Sequence, residues 1–409
     1  MKNKKLAIYI HIPFCIRKCF YCDFLSAPAT EETQNAYVWM LCQEIRNYNI
    51  AQLYEAAFCD FADRSEYDKE SGLSKILKQN DEESFSVITV FFGGGTPSLI
   101  SAQKIAQILD ELHKKFSFSD QTEITMECNP GTVSKEKLEG YRKAGVNRIS
   151  FGLQSANNEE LKTLGRIHTW ETFADSFSLA RKAGFLNINI DLMSALPGQT
   201  EASYERTLKK VMALHPEHIS SYSLIIEEGT PFYERYHLGK GLPDEDTERQ
   251  MYERTKQILG QEGYERYEIS NYSKKGYECR HNLCYWNGTD YIGFGLGASS
   301  MVSHIRYHNC SDFSKYMQNG ANPKLLWEEI NVLSKKEQME EYMFLGLRCM
   351  EGVSVSLFEQ KFGVAYDKIY GAVTKKMQRL GLLAANQDRI SLTEKGIDVS
   401  NYVLSEFLL

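Results

Sequence analysis

No apolar run in this 409-residue chain approaches the roughly 20 residues needed to cross a bilayer, so no integral membrane segment is expected. The start MKNKKLAIYIHIPFC is basic, but no apolar stretch and small-residue cleavage site follow it. The sequence reads as cytoplasmic, with transient membrane contact left open. A basic excess is missing as well. Lys and Arg number 47 against 54 Asp and Glu, a net charge of −7, which argues against a broad phosphate-binding surface and against nucleic acid as a partner. Ten cysteines are too few for a disulfide scaffold, and seven of them (Cys42, Cys59, Cys128, Cys279, Cys284, Cys310, Cys349) are scattered like small buried hydrophobes. What remains is a globular composition, 43% hydrophobic and 25% charged, with chain for two to three domains at ~150 residues each.

From residue 6 to about 230 one theme repeats: a short β-branched and aromatic run, a turn, then an amphipathic segment. The runs begin at LAIYIHI, VITVFFGGG, EITMECNP, RISFGLQS, NINIDLMSALPG and HISSYSLIIE. Six strands alternating with helices predict a parallel sheet curled into a partial (β/α)6 barrel, with chemistry at the carboxyl ends of the strands. Three parts are expected: the barrel over 1–235, with an acidic surface insertion near 60–83; a connecting, aromatic region over 236–330; and a winged-helix-like domain over 331–409. In the last part, helices are expected over 335–349, 354–362 and 366–380, followed by a hairpin. Winged helices often bind DNA, but the 366–380 helix carries only Lys368, Lys375, Lys376 and Arg379.

Cys15, Cys19 and Cys22 stand apart from the other thiols. CIRKCFYC sets three thiolates within eight residues on a loop after a strand. An iron–sulfur cubane with three protein ligands leaves one iron open to a further ligand. Tetrahedral zinc is the alternative, but it wants a fourth ligand, for which His11 is the nearest candidate.

The CxxxCxxC spacing resembles the signature of the radical S-adenosylmethionine (SAM) superfamily. FFGGGTPS, MECNP, FGLQS, LGRIH and NIDLMSALPGQT extend the likeness to the oxygen-independent coproporphyrinogen III oxidase family over most of the chain. The resemblance implies a [4Fe-4S] cluster on Cys15, Cys19 and Cys22, and SAM bound by Gly94, Gly95, Thr96, Glu127, Gln154, Arg166 and Asp191, with Tyr9 and Tyr21 lining the cofactor. It also implies one-electron cleavage of SAM to methionine and a 5′-deoxyadenosyl radical, with flavodoxin or ferredoxin as the kind of electron donor. Phe14, Phe20 and Phe24 are expected to help exclude water.

Two branches of the family diverge here. The oxidase has a fourth cysteine one residue after the third and a longer extension before it. This sequence has Phe24 in that place and fourteen residues ahead of Cys15. Both departures resemble the heme-chaperone branch, as does HNLCYW (281–286), similar to that branch's HNxxYW motif. The likeness implies heme as cargo and heme-accepting proteins as partners, with His281 as candidate iron ligand and Tyr285 and Trp286 as stacking rings. His304 and His308 are further candidates. Two readings compete: a decarboxylase converting coproporphyrinogen III to protoporphyrinogen IX, and a nucleic-acid-associated radical SAM protein.

Overall fold

In the computed structural model, which describes residues 3–62 and 84–409, the six expected strands form. They are β1 (Asn3–Ile12), β2 (Ser84–Gly94), β3 (Ser117–Cys128), β4 (Arg148–Gln154), β5 (Ile188–Ser194) and β6 (His218–Ser223). Each pairs in parallel with the next. β1 and β6 do not pair with each other, so the sheet is a partial (β/α)6 barrel. The acidic stretch expected as an insertion lies outside the described residues from position 63 to 83.

Local chemistry sets the alternation. The helices over Ala102–Lys115, Lys135–Ala144, Trp170–Lys182 and Glu201–Met212 open on Ser101, Ser134, Thr169 and Thr200, whose hydroxyls accept a first-turn backbone N–H. Their apolar faces cover strands with no exposed polar side to spare: Ile8, Ile10, Val90, Phe92, Met126, Ile149, Phe151, Ile190 and Leu192 are all fully buried.

The region over 236–330 is more than a connection. Its strands β7 (Glu265–Arg266), β8 (Asn271–Ser273), β9 (Tyr291–Phe294), β10 (Ser299–Val302), β11 (Ile305–Asn309) and β12 (Trp327–Val332) complete one 12-stranded sheet. β8 pairs antiparallel with β6, while β9 runs parallel to β1 and leads out to β10, β11 and β12. An open barrel leaves two unpaired edges, and these strands cover both. Ile292, Phe294, Ile305, Tyr307 and Trp327 join the barrel's own hydrophobic core.

The C-terminal part has a separate core around Met343, Phe358, Tyr370, Met377 and Phe407. Helices Lys335–Gly346, Val355–Phe362 and Gly371–Arg379 pack with a three-stranded sheet of β13 (Val353–Ser354), β14 (Leu383–Asn386) and β15 (Arg389–Leu392), in a winged-helix arrangement. The helix expected over 366–380 is interrupted at Tyr370, whose buried ring wedges between Phe358 and Phe407 at centroid distances of 5.7 and 5.3 Å. Among the described residues no helix is long and apolar enough to cross a membrane.

Candidate cofactor site

The cysteine loop leaves the carboxyl end of β1 and is tied down from several sides. Cys15 N–H donates to Ala27 O at 3.1 Å and Phe20 N–H to Leu164 O at 3.1 Å. The Arg17 guanidinium donates to Gly165 O at 2.7 Å. The loop therefore rests on the LGRIH segment, and the three thiols line one cavity of about 160 Å³. All three are partly exposed, whereas Cys42, Cys128, Cys279, Cys284, Cys310 and Cys349 are buried. The side chain of Cys59 lies outside the described residues. Burial, with Cys19 and Cys15 close by, pushes the Cys22 thiol up to about 11. Three thiols crowded on one loop suit a cationic iron core, which binds them as thiolates.

His11 has other partners than a metal. Its Nε2 lies 2.9 Å from Leu25 O and its Nδ1 3.1 Å from the Tyr9 hydroxyl. Among the described residues no three His, Cys, Asp or Glu side chains gather closely enough for a single metal ion.

Gly94, Gly95, Thr96, Glu127, Gln154, Arg166, Asp191 and Tyr21 line the same cavity as the cysteines. They come from β2, β3, β4 and β5 and the segments that follow, with Tyr21 from the loop after β1, so sequence-distant residues meet because parallel strands end at one rim. The glycines are dictated by space. A side chain on Gly95 would meet the Phe14 backbone at 2.6 Å, and one on Gly94, whose φ is +107°, the His11 ring at 2.5 Å. Gln154 adopts φ 72° at a register shift at the end of β4, a conformation that costs a non-glycine residue energy and turns the chain at the rim.

The charges of the rim are unbalanced. Glu127 is pushed up to about 8, first by burial and then by the neighbouring Asp191 carboxylate. Asp191 is raised by burial, although Ser150 Oγ (3.0 Å) and Asn189 Nδ2 (2.8 Å) donate to it. Two partly buried acids that oppose each other's ionisation in one corner would be relieved by a cation. Arg166 lies opposite in function: its Nη2 donates to Asn129 Oδ1 and Gly152 O, both at 2.6 Å, its Nη1 stands 3.5 Å from Cys19 Sγ, and its buried Nε has no partner. An acid pair for a sulfonium or ammonium and a guanidinium with a spare donor for a carboxylate fit the donor set of SAM.

Tyr9 is one step removed. It lines a neighbouring cavity of about 180 Å³ in the barrel lumen, which shares Glu127, Ser150 and Asp191 with the rim cavity. Phe14 is buried, but Phe24 is 62% exposed, so it does not shield the thiols from water. Sequence reasoning missed three residues. Asn129 links Thr96 Oγ1 (2.7 Å) to Arg166. Gly152 leaves room where a Cβ would meet Asn129, Gln154 and Arg166 atoms at 3.1 to 3.3 Å. Arg148, fully buried, faces Cys279, Glu123 and Asp191 in the lumen. The Asn–Pro pair in MECNP was a usable signal for Asn129; nothing local marks Arg148.

The HNLCYW segment forms a short helix (Arg280–Trp286) seated against the barrel. His281 is 1% exposed, its Nδ1 is 2.9 Å from Thr89 Oγ1, its Nε2 is 2.9 Å from the Tyr285 hydroxyl, and its ring stacks on Phe91 at 5.0 Å. Both ring nitrogens are thus engaged inside the protein. Tyr285 is half-buried and lines the lumen beside it. Trp286 points elsewhere, into a cleft shared with the C-terminal part.

A partial barrel with a three-cysteine loop at its rim and a polar strand-end cavity beneath is the arrangement of a radical SAM protein. The model of the radical SAM superfamily matches residues 9–211, and that of the HemN C-terminal domain matches residues 333–399. The sequence is 38% identical to the heme chaperone HemW of Lactococcus lactis subsp. lactis (strain IL1403), covering 100% of this chain and 99% of that protein. It is 35% identical to the heme chaperone HemW of Bacillus subtilis (strain 168), with 98% of each covered. The structure of Escherichia coli coproporphyrinogen III oxidase (HemN), described as a radical SAM enzyme, superposes with a TM-score of 0.80 at 22% identity, covering 99% of this chain and 90% of that one. The chain belongs to the radical SAM superfamily and, within it, to the HemW family.

Proposed function

We propose that this protein binds heme and transfers it to heme-accepting proteins in the cytoplasm. Cys15, Cys19 and Cys22 hold a [4Fe-4S] cluster and the strand-end cavity holds SAM. The carrying observation is full-length similarity to proteins named heme chaperones, 38% over 410 residues in the first case. Phe24, where the oxidase branch has a fourth cysteine, agrees with it.

When bound, cluster and SAM supply one-electron cleavage chemistry. The chain's own residues bind and orient. Glu127 and Asp191 attract the positive portion of SAM, Arg166 its carboxylate, Gly94, Gly95 and Thr96 allow close approach along β2, and Gln154 and Tyr21 close the sides. Tyr9 supports the floor through His11. The three-part division at about 235 and 330 assigns cofactor chemistry to the barrel and leaves the later parts for cargo. A flavodoxin or ferredoxin is the class of donor that would reduce the cluster.

Anaerobic reconstitution with iron and sulfide, followed by separate titrations with heme and, in the presence of SAM and a chemical reductant, with coproporphyrinogen III, tests the reading. Stoichiometric heme binding without conversion of coproporphyrinogen supports it. Decarboxylated product in the second titration would overturn it in favour of the oxidase.

A further inference from the structure

We infer that the heme cargo sits in the cleft between the barrel's outer strands and the C-terminal domain, with the imidazole of His304 as iron ligand. The inference rests on the heme-binding reading above and adds the place and the ligand. The cleft encloses about 360 Å³ and opens to solvent; His304 lines it together with Trp286, Met301, Tyr342, Lys361 and Arg389. These residues match the parts of a heme one by one. Trp286 and Tyr342 supply flat apolar surface for the macrocycle. Lys361 and Arg389 supply cations for the two propionates, which would compete there with Asp290, Glu341 and Glu351, acids that also line the cleft, Glu351 lying 3.7 Å from Arg389. His304 supplies a nitrogen of the kind that haem iron takes.

Three further observations favour His304 over the other histidines. No hydrogen bond holds its ring among the described residues, whereas both ring nitrogens of His281 are bonded and His308 pairs with Asn309 O and Glu329. Burial, then the charges of Lys361 and Lys4, push its pKa down to about 4, so the ring is neutral and its lone pair free at neutral pH. Its backbone is unusual: Ser303 and His304 have φ of 50° and 66° in a two-residue hairpin between Val302 and Ile305, a turn that favours Asn and Gly. A histidine kept in a left-handed turn, at an energetic cost, is a feature of functional sites. Asp290, which accepts from Ser303 N–H at 3.2 Å, and Tyr54, 3.2 Å from Ser303 Oγ, hold the turn in place. The Trp286 indole nitrogen is buried in the protein without a partner, with the Arg348 guanidinium 4.4 Å over its ring.

The site explains why the HNLCYW helix matters without making His281 a ligand. That histidine anchors the helix in the barrel, and the helix end carries Trp286 into the cleft.

The test titrates ferric heme into the full-length protein and into His304→Asn, a substitution that suits the turn and removes the imidazole. Soret spectra and tryptophan fluorescence are read together. The expected result is a changed Soret band and an affinity loss of about tenfold or more, with free imidazole restoring the spectrum, while His308→Ala behaves as wild type. Reversing the cations with Lys361→Glu and Arg389→Glu should weaken binding and leave the Soret position unchanged. If wild type binds heme and His304→Asn matches it in spectrum and affinity, the cleft assignment falls and the chaperone reading stands. Loss of the ligand signature in His281→Ala alone has the same meaning. If wild-type protein takes up no heme at all, the chaperone reading fails, and the cleft assignment with it.

Discussion

Thr89 and His281 meet at 2.9 Å, hydroxyl oxygen to Nδ1, although 192 residues separate them in sequence. The contact joins the second barrel strand to a motif that the sequence places far outside the barrel. Thr89 is fully buried, and so is the ring it meets. Thr89→Val keeps the shape and strands a ring nitrogen, which should cost about 1–3 kcal/mol. His281→Ala adds a cavity and should cost more, and the double variant should lose less than the sum. Denaturant unfolding of the four proteins measures the coupling; strictly additive losses would show that the two groups do not act together.

The cysteine assignment separates three thiols from the rest. Replacing Cys15, Cys19 and Cys22 with Ala should abolish the iron and sulfide taken up on anaerobic reconstitution, since these three thiols are partly exposed on the loop at the cavity, whereas Cys128, which also lines it, is buried. Cys279→Ala and Cys349→Ala, both buried elsewhere, should take up the full complement. A [4Fe-4S] spectrum in the triple variant, or its loss in Cys279→Ala, contradicts the assignment.

The fold was legible in the sequence where strands are long and buried on both faces. LAIYIHI and NINIDLMS read as strands because parallel strands of a barrel are nearly continuous apolar runs. The flanks were not legible. β7 has two residues and β8 three, too short to show any period, and their placement depends on an unpaired sheet edge. The rim followed the same divide. Gly95 and Glu127 stand at recognisable strand ends and Asp191 in the middle of a recognisable strand, whereas Arg148 opens β4 and reaches the lumen only because the sheet curls. For His281, sequence reveals a polar ring among aromatics but not that Thr89 and Tyr285 occupy both of its nitrogens.

Glu127 makes SAM binding depend on pH. Its carboxyl is held at about 8 by burial and by Asp191, with Gly94 N–H and Arg148 acting the other way, so at pH 7 it is mostly protonated in the free protein. A cationic ligand favours the carboxylate, so binding should release a proton, and affinity should rise with pH until about 8. Between pH 6.5 and 8 the gain is on the order of tenfold. Calorimetric titration of the reconstituted protein in buffers of different ionisation enthalpy reads both the affinity and the proton. Glu127→Gln should bind more weakly with a flat profile, and a flat wild-type profile would remove Glu127 from the role.

A second buried acid sets a pH dependence of folding that is independent of any cofactor. Glu44 is 2% exposed and accepts from Gly295 N–H at 3.0 Å, Asn309 Nδ2 at 2.7 Å and the Tyr316 hydroxyl at 2.6 Å, thereby tying the helix Glu31–Asn47 to the outer strands. Burial raises it to about 7, against the pull of those three donors. A raised carboxyl binds its proton more tightly folded than unfolded. Its contribution is therefore complete below the ordinary value near 4.5 and is lost as pH rises through 7. Over that window the loss is up to about 3 kcal/mol. Glu44→Gln cannot ionise, yet its amide hydrogens face three donors, so the variant should be less stable than wild type at pH 5. The gap should narrow as pH rises to 8, because only wild type then carries an ionised group in the core. Urea unfolding of both proteins at pH 5, 6.5 and 8 makes the comparison, with all other titrating groups held in common. A gap that stays constant across the three would place the Glu44 ionisation outside this range.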